Sequence, residues 1–76
     1  MKLDAKKLRE ERLAKGYSRS ALSWNSEVSE GSIIRAERGL EIRPITARRL
    51  ARALELEVGD LWPPEQREQE LTRIPA

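Results

Sequence analysis

The run Ser18-Arg-Ser-Ala-Leu-Ser-Trp-Asn-Ser-Glu-Val-Ser-Glu-Gly-Ser-Ile-Ile-Arg-Ala-Glu-Arg-Gly39 contains two helix beginnings, one turn and one helix end. Ser18 and Ser29 are good N-caps, because a serine oxygen can accept from the free amides of a first helical turn. From Ser18 a short helix is expected to reach about Ser26, with Ala21 and Leu22 facing inward and Arg19 and Ser20 in its exposed first turn. Val28 and Ser29 restart the chain, and a second helix is expected from Ser29 to about Arg38. Gly39 then stands where a left-handed residue usually closes a helix. At about 100° per residue, Ile33, Ala36, Glu37 and Leu40 share one side of that second helix. Glu30, Gly31, Ile34, Arg35 and Arg38 share the other, so it has a dry face and an offered face.

On the N-terminal side, Asp4 to Lys15 holds no Gly, no Pro and no β-branched residue. Asp4 can cap a helix there, with Leu3 or Ala5, Leu8 and Glu11 or Arg12 on one stripe and Gly16 at its end. On the C-terminal side, the loop Leu40 to Arg43 leads to Pro44, which suits a first helical turn. Thr46 to Leu54 then carries Ala47, Leu50, Ala51 and Leu54 at helical spacing. Leu56, Val58, Leu61 and Trp62 predict a brief fifth helix over Val58 to Trp62, ended by Pro63-Pro64. Trp62 is expected to anchor it. No stretch alternates like a strand, and there is no hairpin dipeptide. The expected fold is all-α, five short helices in one domain over 1–64, followed by a charged tail over 65–76.

The composition agrees and excludes much else. With 76 residues there is room for one core, and with 2 Trp, 1 Tyr and no Phe that core must be built from Leu, Ile, Ala and Val. The absence of Cys and His removes thiol nucleophiles, the commonest metal ligands and the usual neutral-pH acid and base. Paired carboxylates such as Glu10-Glu11 and Glu68-Glu70 have nothing apolar around them to make a pocket. No enzyme, metal, cofactor or small-molecule ligand is therefore expected. No apolar run suggests a membrane span or a signal peptide, so a soluble, cytoplasmic protein is expected. The formal net charge of +2 neither demands nor forbids a polyanion.

Two short helices joined by a turn of about three residues, the second with a polar face, describe a helix-turn-helix. The residues resemble the lambda-repressor and Cro-like (xenobiotic-response-element type) helix-turn-helix family. The resemblance runs through Arg12-Leu-Ala-Lys-Gly-Tyr-Ser18, Val28-Ser29 and Ile33-Ile-Arg-Ala-Glu-Arg-Gly39, and continues in Leu50-Ala-Arg-Ala-Leu54 and Leu61-Trp62. It implies a five-helix domain that binds double-stranded DNA, usually as a homodimer. It further implies that Glu30, Gly31, Ile34 and Arg35 face bases, that Arg19 and Ser20 anchor phosphates, and that Arg12 pairs with Glu37 as a structural link. Arg35 suits the O6 and N7 of guanine, and Glu30 suits a cytosine amino group. Arg38 and Arg43 are expected on phosphates, with Thr46 as a minor addition near the start of helix four.

Three residues depart from the family pattern. Glu27 occupies the turn position that usually holds Gly, Glu55 replaces the Gly that commonly follows helix four, and Arg19 replaces the Gln that commonly opens helix two. Trp24 lies where helix two should be polar, which leaves packing and a protein interface both open for it. Residues 18–43 also carry equal numbers of acidic and basic side chains. These features motivate an alternative on the same scaffold: a protein-interaction module anchored by Trp24 and Ile34, with weak or no DNA binding.

Overall fold

A computed structural model of the chain describes residues 1–66. It contains four α-helices, α1 (Ala5–Ala14), α2 (Arg19–Ser26), α3 (Glu30–Glu37) and α4 (Pro44–Ala53), then a 3-10 helix over Val58–Leu61. There is no strand among the described residues, and no helix there is long and apolar enough to cross a membrane. The charged tail falls mostly at 67–76, outside the described residues.

The helix beginnings follow from side-chain caps. Asp4 accepts from the Lys7 amide at 3.1 Å, Ser18 from the Ala21 amide at 3.0 Å and Ser29 from the Ser32 amide at 3.1 Å. Each bond satisfies a first-turn amide that has no partner inside its own helix. Helix α4 begins on Pro44, which has no amide to satisfy.

Three helix ends share one device. Gly16 and Gly39 adopt φ of 74° and 72° after α1 and α3, and the next residues, Tyr17 and Leu40, donate back to Arg12 O at 3.1 Å and Arg35 O at 3.0 Å. After α4, Glu55 takes the left-handed position at φ 59°, and the Leu56 amide donates to Ala51 O at 2.8 Å. These paired bonds occupy carbonyls that a helix end leaves free.

Leu8, Leu22, Ile33, Leu50, Leu54 and Leu61 are fully buried, with Ala36, Ala47 and Ala51 filling the close approaches between helices. Helix α2 packs on α3 and α4, α1 packs on α3, and the 3-10 helix packs on α4. Leu61 O accepts from the Asp4 amide at 2.7 Å, which fastens the 3-10 helix to the start of α1. Met1 pairs with the α3–α4 loop, its carbonyl accepting from the Ile42 amide at 2.8 Å.

Two expectations need correction. Leu40 is 40% exposed rather than buried beside Ile33 and Ala36. The wheel that grouped them assumes a continuing helix, but α3 stops at Glu37 and the positive φ of Gly39 turns the chain out of register. Pro63-Pro64 ends the 3-10 helix, yet residues 64–66 are helical again, because Pro64 can open a helix as readily as it ends one. Trp62 is half-buried, and its enclosed Nε1 has no hydrogen-bond partner among the described residues.

Candidate nucleic-acid interface

Helix α3 turns Ile33 and Ala36 into the core and leaves Glu30, Gly31, Arg35 and Arg38 exposed, with Ile34 half-buried at the margin. The offered face of the sequence is thus a real surface. Arg19 and Ser20 are exposed at the start of α2, and Arg43 is exposed just before α4. Thr46 is 9% exposed, with most of the residue turned into the interior beside α4's inward stripe. Its position three residues into α4, one turn before Leu50 on the inward stripe, accounts for that burial.

A buried ionic link holds the surface in place. The Glu37 side chain is 3% exposed and accepts from Arg12 Nε at 2.6 Å and Arg12 Nη2 at 3.2 Å. Arg12, itself buried, also donates through Nη1 to Tyr17 O at 2.9 Å. Both carboxylate oxygens are therefore met by one guanidinium fork, the geometry in which arginine binds a carboxylate most strongly. Arg19 adds a second cation, donating through Nε to Glu37 Oε1 at 3.3 Å. The carboxylate joins α1, the start of α2 and the last turn of α3. The Arg12 pairing matches what the family resemblance implies, whereas the arm from Arg19 has no signal in local spacing, since the two residues lie on different helices.

Arg35 reaches past the end of α3 and donates through Nη2 to Glu41 O at 3.1 Å. A guanidinium has five donors, so this bond leaves others free. The Glu41 carboxylate pairs with the Met1 amino group, and the hydrogen bond from that ammonium holds its pKa below the ordinary carboxylate value. No ion pair engages Arg38, Arg43, Arg48 or Arg52 among the described residues.

No family model matches the chain, and no curated protein does. A solved structure does: the restriction-modification controller protein C.AhdI from Aeromonas hydrophila superposes with a TM-score of 0.71 at 32% sequence identity, covering 76% of this chain and 89% of that one. The chain belongs to the lambda-repressor/Cro-like helix-turn-helix family. Its helix-turn-helix is α2, the turn Glu27 to Ser29, and α3.

Within this helix-turn-helix, Glu27 adopts φ 59° and ψ 34°. The left-handed turn that the family usually builds with Gly is kept without it, at a cost on the order of 1 kcal/mol. Two bonds define this corner: the Glu27 amide donates to Ser23 O at 3.0 Å, and Arg49 Nη1 donates to Glu27 O at 3.3 Å. Trp24, one turn before the corner, is 87% exposed, which settles its place on the surface.

Proposed function

We propose that this chain is a sequence-specific DNA-binding transcription regulator that acts as a homodimer, with α3 in the major groove of double-stranded DNA. The observation that carries the reading is the α3 face itself: exposed and polar from Glu30 in the first turn to Arg35 in the last, and held by the buried Arg12–Glu37 link. A recognition helix needs those properties, because its first turns must reach base edges while its orientation stays fixed.

In this reading Arg35 makes a bidentate contact to guanine, Glu30 accepts from a cytosine amino group and Ile34 covers a thymine methyl. A Cβ built at Gly31 would meet only Ser29 Oγ, at 4.0 Å. The protein's own packing therefore does not call for glycine there, whereas a duplex lying against the helix would. Arg19, Ser20, Arg38 and Arg43 hold phosphates, with Thr46 a minor addition, since only 9% of it is exposed. Similarity to a restriction-modification controller supports the narrower reading of a controller or repressor in the cytoplasm, bound to the nucleoid. The reading needs no cofactor or small-molecule ligand, and the exposed Trp24 gives a specific reason to keep a protein-contact role in view.

The test is selection from a randomised duplex library at low and moderate salt, followed by sequencing of the retained fraction. A paired, two-fold-related site with a guanine in each half is the expected outcome. Retention without enrichment would reduce the chain to a nonspecific binder, and no retention at low salt would favour the protein-interaction module.

A further inference from the structure

We propose that Glu41 is a positioning residue for base reading: fastened to Met1, it holds the Arg35 guanidinium in place for guanine. The proposal rests on the DNA reading above and deepens its account of Arg35.

The Arg35 side chain leaves the last turn of α3 and donates through Nη2 to Glu41 O at 3.1 Å. The segment that offers this carbonyl is itself fastened. The Met1 amino group donates to Ile42 O at 2.8 Å, and the Ile42 amide donates back to Met1 O at 2.8 Å. The same amino group pairs with the Glu41 carboxylate. Ile42 is 8% exposed and belongs to the core, so the loop has a buried foot next to the carbonyl that holds Arg35.

A free arginine loses rotamer freedom when it docks on a base, which lowers affinity by about 2- to 10-fold for one ordered side chain. An Arg35 already held by a carbonyl has given up part of that freedom before the duplex arrives. The kind of partner matters as much. A carbonyl is neutral and takes one of five donors, so the guanidinium keeps its charge and has donors left for O6 and N7. A carboxylate in its place would take up the fork that guanine needs. Glu41 carries such a carboxylate, and the Met1 amino group occupies it. Met1 thus fixes the carbonyl and keeps the acid off the arginine.

The test compares dissociation constants for the selected duplex site and for the same site with its guanine replaced, because the ratio cancels losses common to all sequences. Gly-Ser added before Met1 removes the amino group from its partner and releases the Glu41 acid; it is expected to lower the ratio about 5- to 10-fold. Glu41→Gln loses the ion pair but cannot capture Arg35 as a carboxylate does, and should lower the ratio only about 2- to 3-fold. Glu41→Gln within the extended chain should restore the ratio to that smaller loss. None of these changes should alter the ratio in an Arg35→Ala background, where there is no guanidinium to position. Thermal melting should change little, because the Glu41 side chain is 64% exposed. Variants that keep the wild-type ratio, or that lower it equally in the Arg35→Ala background, would overturn the positioning role while the DNA reading stands. A wild-type chain that binds both sites alike would overturn the DNA reading and this proposal with it.

Discussion

Glu27 occupies a backbone conformation that disfavours a Cβ, and this has a measurable consequence. A left-handed residue other than glycine costs roughly 1–2 kcal/mol, and glycine returns about 0.5–1 kcal/mol of that as lost chain entropy. Glu27→Gly is therefore expected to stabilise the fold by about 0.5–1 kcal/mol in denaturant unfolding; the bond from Arg49 reaches the backbone carbonyl and survives the change. A destabilised Glu27→Gly would mean that the side chain makes a contact worth more than the strain. In the proposed reading Arg35 touches a base and Arg19 a phosphate, and substitution separates the two roles. Arg35→Ala should relax base preference at one position, by about 1–3 kcal/mol of discrimination. Arg19→Ala should weaken all sequences alike. Equal, sequence-independent losses from both would remove Arg35 from the base-reading set.

Helix α3 is tied to α1 through a carboxylate that the core would otherwise leave unpaired. Arg12→Ala removes the guanidinium bonded at 2.6 Å and strands a side chain that is 3% exposed. Breaking such a pair typically costs about 3–5 kcal/mol. The lower end is expected here, because Arg19 still reaches Glu37 at 3.3 Å; an unchanged unfolding midpoint at neutral pH would show that the link is not structural. The Lys15–Glu55 pair, at 2.9 Å between the end of α1 and the end of α4, is of another kind. The hydrogen bond from Lys15 lowers the Glu55 pKa, and the same bond raises that of Lys15. A lowered carboxyl pKa contributes stability above its unfolded value and loses it as pH falls through the folded value. Both groups are exposed, so the difference in melting midpoint between wild type and Glu55→Gln should be small at neutral pH, shrink in acid and shrink in high salt. A difference that grew in acid would reverse the sign and discard the pair. The helix limits were legible in the sequence because caps and closing glycines act locally: Asp4, Ser18, Ser29, Gly16 and Gly39 each do their work within a few residues. The Arg19 arm of the Glu37 link and the Arg35 bond to Glu41 were not. They join groups that only the packed fold, or the turn after α3, brings together.

The molecule as a whole carries little net charge, and this makes the placement of its cations decisive. The inward stripe of α4 could be read from spacing alone, while the exposure of Trp24 could not, because a tryptophan on a helix margin has the same pattern whether it folds over the core or projects from it. Nor does a balance of acids and bases in residues 18–43 reveal which charges are already spent. The structure separates them: Glu37 is consumed by Arg12 and Arg19, and Glu41 pairs with the Met1 amino group, whereas Arg38 and Arg43 have no ion pair among the described residues. Within the segment, Arg35, Arg38 and Arg43 are thus left without an ion pair among the described residues against two such carboxylates, Glu27 and Glu30. If Arg19, Arg38 and Arg43 of two copies each neutralise a phosphate, the logarithm of affinity for duplex DNA should fall with the logarithm of salt at a slope of about −5. Fluorescence anisotropy with a random duplex over a salt series reads that slope. Arg43→Ala should make it shallower by about 2, one phosphate from each copy, without altering sequence preference. A wild-type slope near zero would mean that these arginines do not meet phosphates, and the DNA reading would fall with them.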